Sequence, residues 1–148
     1  MSVQSDYALD LSVGTPGQIA DIGVNAQEII SRACETSGGI GYGKVVSFGT
    51  NKEKECVIGG DGTGIGVSVR NVNNDEYEQY DAVDIMRKGY IWAVVATAAV
   101  AGTALHYDDT TGIIDSGAAS TGETAMTNCE LVTTVASNGD LGLIRVDM

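Results

Sequence analysis

Along most of this chain apolar residues alternate with polar or small ones, the period of two that belongs to strands resting one face on a core. Tyr7, Leu9, Leu11 and Val13 set that rhythm first. Gly14, Pro16, Gly17 and Gly23 then interrupt it around Ile19 and Ile22. Pro and Gly so placed discourage a helix, so residues 1–24 are expected to form an extended arm. A different spacing follows. Ala26, Ile29, Ile30 and Ala33 fall at helical intervals with Asn25 as N-cap, which predicts one short helix over 25–32.

After Gly38 the pattern is β again. Ile65, Val67 and Val69 alternate with Gly66, Ser68 and Arg70, the pattern of a half-buried strand. Val83 and Ile85 form another such run, Lys88-Gly89 interrupts it, and Tyr90 to Val95 resumes it, a strand–turn–strand signal. Leu105 and Tyr107 lead into the turn cluster Asp108 to Gly112, and Ile113-Ile114 follow. Leu131, Thr133 and Val135 are separated from Leu141, Leu143 and Arg145 by Asn138-Gly139, a strong short-range hairpin signal. Strands punctuated this often predict a mainly β fold, a small antiparallel β-barrel or sandwich. Its expected extent is one domain over residues 25–148, with the arm in front of it.

Composition narrows the function. A chain of 148 residues buries roughly 68–70% of its unfolded surface on folding, enough for a core without staples. The 20 Gly suit tight turns and bulges that need positive φ. A formal charge of −12 argues against nucleic acid as a partner, since phosphate binding relies on Lys and Arg clusters and the eight here are scattered. Cys34, Cys56 and Cys129 are an odd number without a C-x-x-C pair, so buried free thiols and assembly in a reducing cytoplasm are expected. The polar, acidic start of the chain does not read as a signal peptide. Tyr90 to Ala101 is the longest apolar stretch, and a membrane-spanning helix needs about 20 residues, so no membrane partner is expected.

Five features invite a chemical reading. Gly38 to Lys44 is one residue short of a phosphate-cradling loop, but Val45 stands where a hydroxyl would meet Mg²⁺ and no strand pattern precedes it. A glycine-rich turn is the expectation there, as it is for Gly59 to Gly66, a turn entering a strand. Ile113-Ile114-Asp115-Ser116-Gly117-Ala118 resembles the catalytic loop of retroviral-type aspartic proteases, whose dimers share a proton between two carboxylates. Those enzymes need a flap and a second apolar-apolar-Gly element after the Asp, and the chain after Asp115 is too short, so a turn with Asp115 solvated is expected. His106, the only histidine, lacks a triad partner at a known spacing and reads as an incidental strand-end residue. Asn74-Asp75-Glu76 with Glu78 and Asp81 lacks the EF-hand pattern and reads as a solvated acidic loop. The sequence thus predicts no catalytic residue, no cofactor and no metal site.

The ordered segments resemble the structural cement proteins of tailed bacteriophages. The resemblance rests on Pro16-Gly17-Gln18-Ile19-Ala20-Asp21, Ile30-Ser31-Arg32, Ile40-Gly41-Tyr42-Gly43 with Val45-Val46, and Ile65 to Arg70. Tyr80-Asp81, Gly89 to Val94, Ala101-Gly102, Thr111-Gly112 and Gly142 to Val146 complete it, with residues 113–130 fitting least well. It implies a capsid cement or decoration protein, a homotrimer on the outer face of the expanded head, where it reinforces joins between capsomers of the major capsid protein. Tyr7, Leu9, Leu11, Val13, Pro16, Gly17, Ile19, Ile22 and Arg32 are expected at the contact with the capsid or a neighbouring subunit. The arm's alternation suits strand addition to such a partner. Two other functions compete: a virion-displayed receptor- or carbohydrate-binding module, for which one Trp and six Tyr offer little stacking surface, and the dimeric aspartic protease. Trp92 is expected in the core of the domain.

Overall fold

The computed structural model describes residues 14–20, 27–71 and 75–148. The strands in chain order are β1 (Glu28–Cys34), β2 (Val45–Phe48), β3 (Glu55–Ile58), β4 (Gly64–Ser68) and β5 (Ala82–Val94). They are followed by β6 (Leu105–Asp108), β7 (Ile114–Ser116), β8 (Glu123–Ala125), β9 (Glu130–Leu131) and β10 (Leu141–Asp147). The order β1-β3-β2-β4-β5 closes on itself because β1 also pairs with β5, making a five-stranded barrel. All its pairings are antiparallel except β1–β3. Closure leaves this ring without a free edge. β10 and β9 extend the sheet from β5, and β7-β6-β8 form a separate three-stranded cap.

Two apolar cores result. Cys34, Val46, Cys56, Ile65, Val83 and Ile85, one or more from each ring strand, fill the barrel with Ile40, Tyr42 and Tyr77. Val45, Val67, Met86, Ile91 and Ala93 on the sheet meet Leu105, Tyr107, Ile114 and Met126 of the cap region in the second core. Adjacent residues Val45 and Val46 therefore face different cores, and β2 is buried on both sides. β4 is too, where a half-buried strand was expected. The register shifts opposite Val46 and Ser47 so that Ile65 is extra. A bulge of this kind turns one side chain to the other face. Ile65 enters the barrel while Val67 and Val69 enter the second core.

Two local expectations change. No helix occurs among the described residues, and the segment expected to be helical from 25 to 32 is β1 from Glu28 onward. Its register against Ala82–Lys88 supplies ladder bonds that an isolated helix of that length could not match. The runs on either side of Lys88-Gly89 are one strand, β5, and not a strand–turn–strand. Gly89, at φ 138°, and the register shift opposite Arg87 bend the strand without reversing it. Its first half lies between β1 and β4, its second half beside β10.

The turn signals held better. Asp108 Oδ1 accepts from the N–H groups of Thr110 and Thr111, 2.9 and 2.7 Å away, and fixes the β6–β7 turn. Asn138-Gly139 does form a turn, Gly139 having φ 80°. It does not close a tight hairpin, because Val135 leaves β10 to bridge Ala99.

Candidate functional site

The described part of the arm, residues 14–20, lies along the second half of β5. Pro16 and Gly17 occupy the middle of a turn closed by the Gln18 N–H on Thr15 O at 3.0 Å. Pro followed by Gly at φ 75° is the sequence that a type II turn requires. From there the backbone joins the sheet: Gly17 N–H donates to Trp92 O (2.7 Å), Trp92 N–H to Gln18 O (2.9 Å) and Ala20 N–H to Tyr90 O (3.0 Å). Ile19 bridges Ile91, which also pairs with Ile144 of β10. The second half of β5 is thus held between the arm and β10. Arg70 N–H donates to Gly17 O at 2.7 Å and ties the turn to the end of β4.

Two glycines permit this seat. A Cβ on Gly17 would lie 2.8 Å from both Arg70 N and Tyr42 Cβ, and the φ of 75° already disfavours any other residue. A Cβ on Gly14 would stand 2.7 Å from Trp92 Cγ. Trp92 is only 5% exposed, as a core residue should be, but neither apolar core contains it. Its neighbours Ile91 and Ala93 point into the second core; the indole takes the other face, with Gly14 against it. Sequence reasoning missed this role of Gly14. The only signal available was a glycine ahead of Pro-Gly in an otherwise alternating stretch.

Of the residues expected at an interface, Pro16, Gly17 and Ile19 are therefore seated on the chain's own β5. Arg32 lies on β1 with its Nη1–H donating to Ser31 O (2.9 Å) and its guanidinium 5.9 Å from the Phe48 ring centroid. Tyr7, Leu9, Leu11, Val13 and Ile22 fall outside the described residues.

The segments weighed for chemistry take structural places. In the Gly38–Lys44 loop the N–H groups of Gly39, Ile40 and Gly43 donate to the carbonyls of Thr36, Tyr77 and Ser68, and that of Lys44 to Ser68 Oγ. Those N–H groups are not pointed at an anion. Asp115 is not in a solvated turn: it lies half-buried on β7, paired in register with His106 of β6. His106 is buried in the middle strand of the cap, its Nδ1 3.1 Å from Gly117 O and its Nε2 3.4 Å from Glu123 Oε2. Hydrogen bonds from Ser120 Oγ and N hold the Glu123 carboxyl below its ordinary pKa. Cys34, Cys56 and Cys129 are free and buried, and burial pushes the Cys56 thiol up to about 12. Among the described residues no group of three His, Cys, Asp or Glu is placed to hold a metal.

Charge divides along the same architecture. No Lys or Arg occurs from Gly89 through Ile144, so His106 is the cap's one basic side chain, and every Lys and Arg belongs to the ring strands, their loops or β10.

The family model described as structural cement protein (E217 gp24/Pam3 gp6) matches residues 3–147. A chain from the capsid of Myoviridae phage XM1 superposes with a TM-score of 0.72 over 99% of this chain and 98% of that one, at 17% identity. The N base of the head fibre gp8.5 of bacteriophage phi29 superposes with a TM-score of 0.53 over 82% of this chain and 95% of that one, at 9% identity. A search of curated proteins returns no match.

Proposed function

Because the chain belongs to the structural cement protein family and so is a structural component of a phage capsid, we propose that it clamps the outer surface of the expanded head without catalysis. In this reading it sits as a homotrimer across joins between capsomers of the major capsid protein. The observation that carries the reading is the family match over residues 3–147. The closed barrel supports it. A ring without free edges is a rigid mount, and rigidity limits what a bound clamp loses in conformational freedom.

The physics of such a clamp is mass action. A ligand that binds only the expanded lattice stabilises it by RT times the logarithm of one plus the ratio of its free concentration to its Kd, so the effect grows with that ratio. Many identical contacts on one shell then give avidity that no single contact has. The charge of −12 fits a place outside the shell better than one against packaged DNA.

Co-sedimentation of the purified chain with expanded, undecorated heads tests the reading, with unexpanded heads as the control. Saturable binding to expanded heads alone is expected, and its plateau gives the copy number. Absence of binding to both would overturn the proposal.

A further inference from the structure

Tyr80 is the one non-glycine residue with positive φ among those described, at 73°, and it is 79% exposed. A side chain in the left-handed region costs roughly 1–2 kcal/mol. Nothing in either core repays that cost, because the ring is held out in solvent. The turn is nevertheless fixed. Tyr80 N–H donates to Cys34 O (2.7 Å), Cys34 N–H to Asp81 O (2.8 Å), and Glu78 N–H to Asp81 Oδ2 (2.8 Å). Gln79 Nε2 reaches Glu35 O at 3.4 Å. These bonds tie the turn to the end of β1.

Beside the ring lies a cleft of about 380 Å³ lined by Ser37, Gly38, Gly39, Glu76, Glu78 and Gln79. Gly38 and Gly39 contribute no side chains, and no Lys or Arg lines the cleft. An exposed aromatic wall with two carboxylates beside it attracts a cation: the π face is negative, and so is the rim. A planar guanidinium stacks on a tyrosine face while pairing with a carboxylate, which an ammonium does less well.

We propose that this cleft receives an arginine side chain of a partner protein, stacked on Tyr80 and paired with Glu76 and Glu78. The chemistry of the site stands on its own geometry. Only the identification of the partner as the capsid lattice rests on the function proposed above.

The test separates the two. Nuclear magnetic resonance of the full chain titrated with N-acetyl-arginine amide reads the site directly. Shifts confined to the Tyr80 ring and the Gly38 and Gly39 amides are expected, saturating on the order of millimolar, as a single-side-chain contact should. They should vanish in Tyr80→Gly, a variant that accepts the φ and so leaves the melting temperature unchanged or higher. Scattered or absent shifts, or equal shifts in Tyr80→Gly, would overturn the site. The same variant is then sedimented with expanded heads, where about a tenfold loss of affinity is expected for a buried aromatic anchor. Localised shifts with wild-type chain that fails to bind heads would leave the cleft standing and remove the capsid reading. Head binding unchanged by Tyr80→Gly would remove the cleft from the capsid contact.

Discussion

Ile85 and Trp92 lie on the same strand and are buried to nearly the same degree, 0% and 5% exposed, yet their burial has different origins. Ile85 is enclosed by a ring in which each strand is held by neighbours on both sides. Trp92 faces away from both apolar cores, and the segment beginning at Gly14 lies against it. Enclosure by a closed barrel is lost only when the fold is lost. A cover made by an added strand can be lost alone. The bend at Gly89 divides β5 between these two regimes.

The sharpest way to break the comparison is to cut into each region and look for global or local failure. Ile85→Ala removes a fully buried side chain from the ring and should cost about 2–5 kcal/mol. Denaturant melts should show a lower midpoint for every probe together. Deleting residues 1–22 should do something else. The ring should stay folded, stability should fall by at most about 1.5–3 kcal/mol, the value of one large buried side chain, and the emission of Trp92 should shift to the red. Trp92 is the only tryptophan, so that emission has one source. If the truncated chain still bound expanded heads as tightly as the intact one, the arm would have no part in capsid binding.

A smaller cut sharpens the same point. Gly17→Ala forces a Cβ to within 2.8 Å of Arg70 N at a φ that alanine avoids. We expect a loss of about 1–2 kcal/mol, borne by the arm. Quenching of Trp92 by acrylamide should rise while the far-ultraviolet spectrum of the ring holds. A cooperative loss of the whole fold would show that the arm and ring are one unit.

What the sequence disclosed follows the range of the interactions. The β6–β7 hairpin was legible because Asp108 caps its own turn within three residues. The Asn138-Gly139 turn was legible for the same reason, but not the departure of Val135 toward Ala99, a partner far away in the chain. The bend in β5 was misread as a reversal because only distant partners, β1 and β10, keep its two halves in line. β1 was misread because Ile29, Ile30 and Ala33 suit a helix as well as a strand, and none of its ladder partners, on β3 or β5, is local in the chain. The arm's seat was the least legible feature. Gly14 matters by leaving room for an indole on another strand, and no pattern local to residues 14–17 encodes which side chain that is.

The smallest effect separates a third region, the cap, from both. Asp108 is partly exposed, and the N–H groups of Thr111 and Thr110 hold its carboxyl below the ordinary aspartate value. A lowered folded pKa means that the charged form is favoured by folding. The associated stability is complete above the unfolded value, near pH 4, and is lost as the pH falls through the folded value. Exposure keeps the contribution small, so it should appear as a modest decline in the urea midpoint between pH 6 and pH 3. Asp108→Asn retains an oxygen that accepts from both N–H groups but cannot titrate. The variant should be slightly less stable than wild type at pH 6 and should lose less than wild type on acidification. An unchanged acid slope would mean that the turn draws nothing from the carboxylate charge. In that case the decline should instead follow Glu35, whose carboxyl is held down by Thr50 Oγ1 and N on the ring side of the molecule.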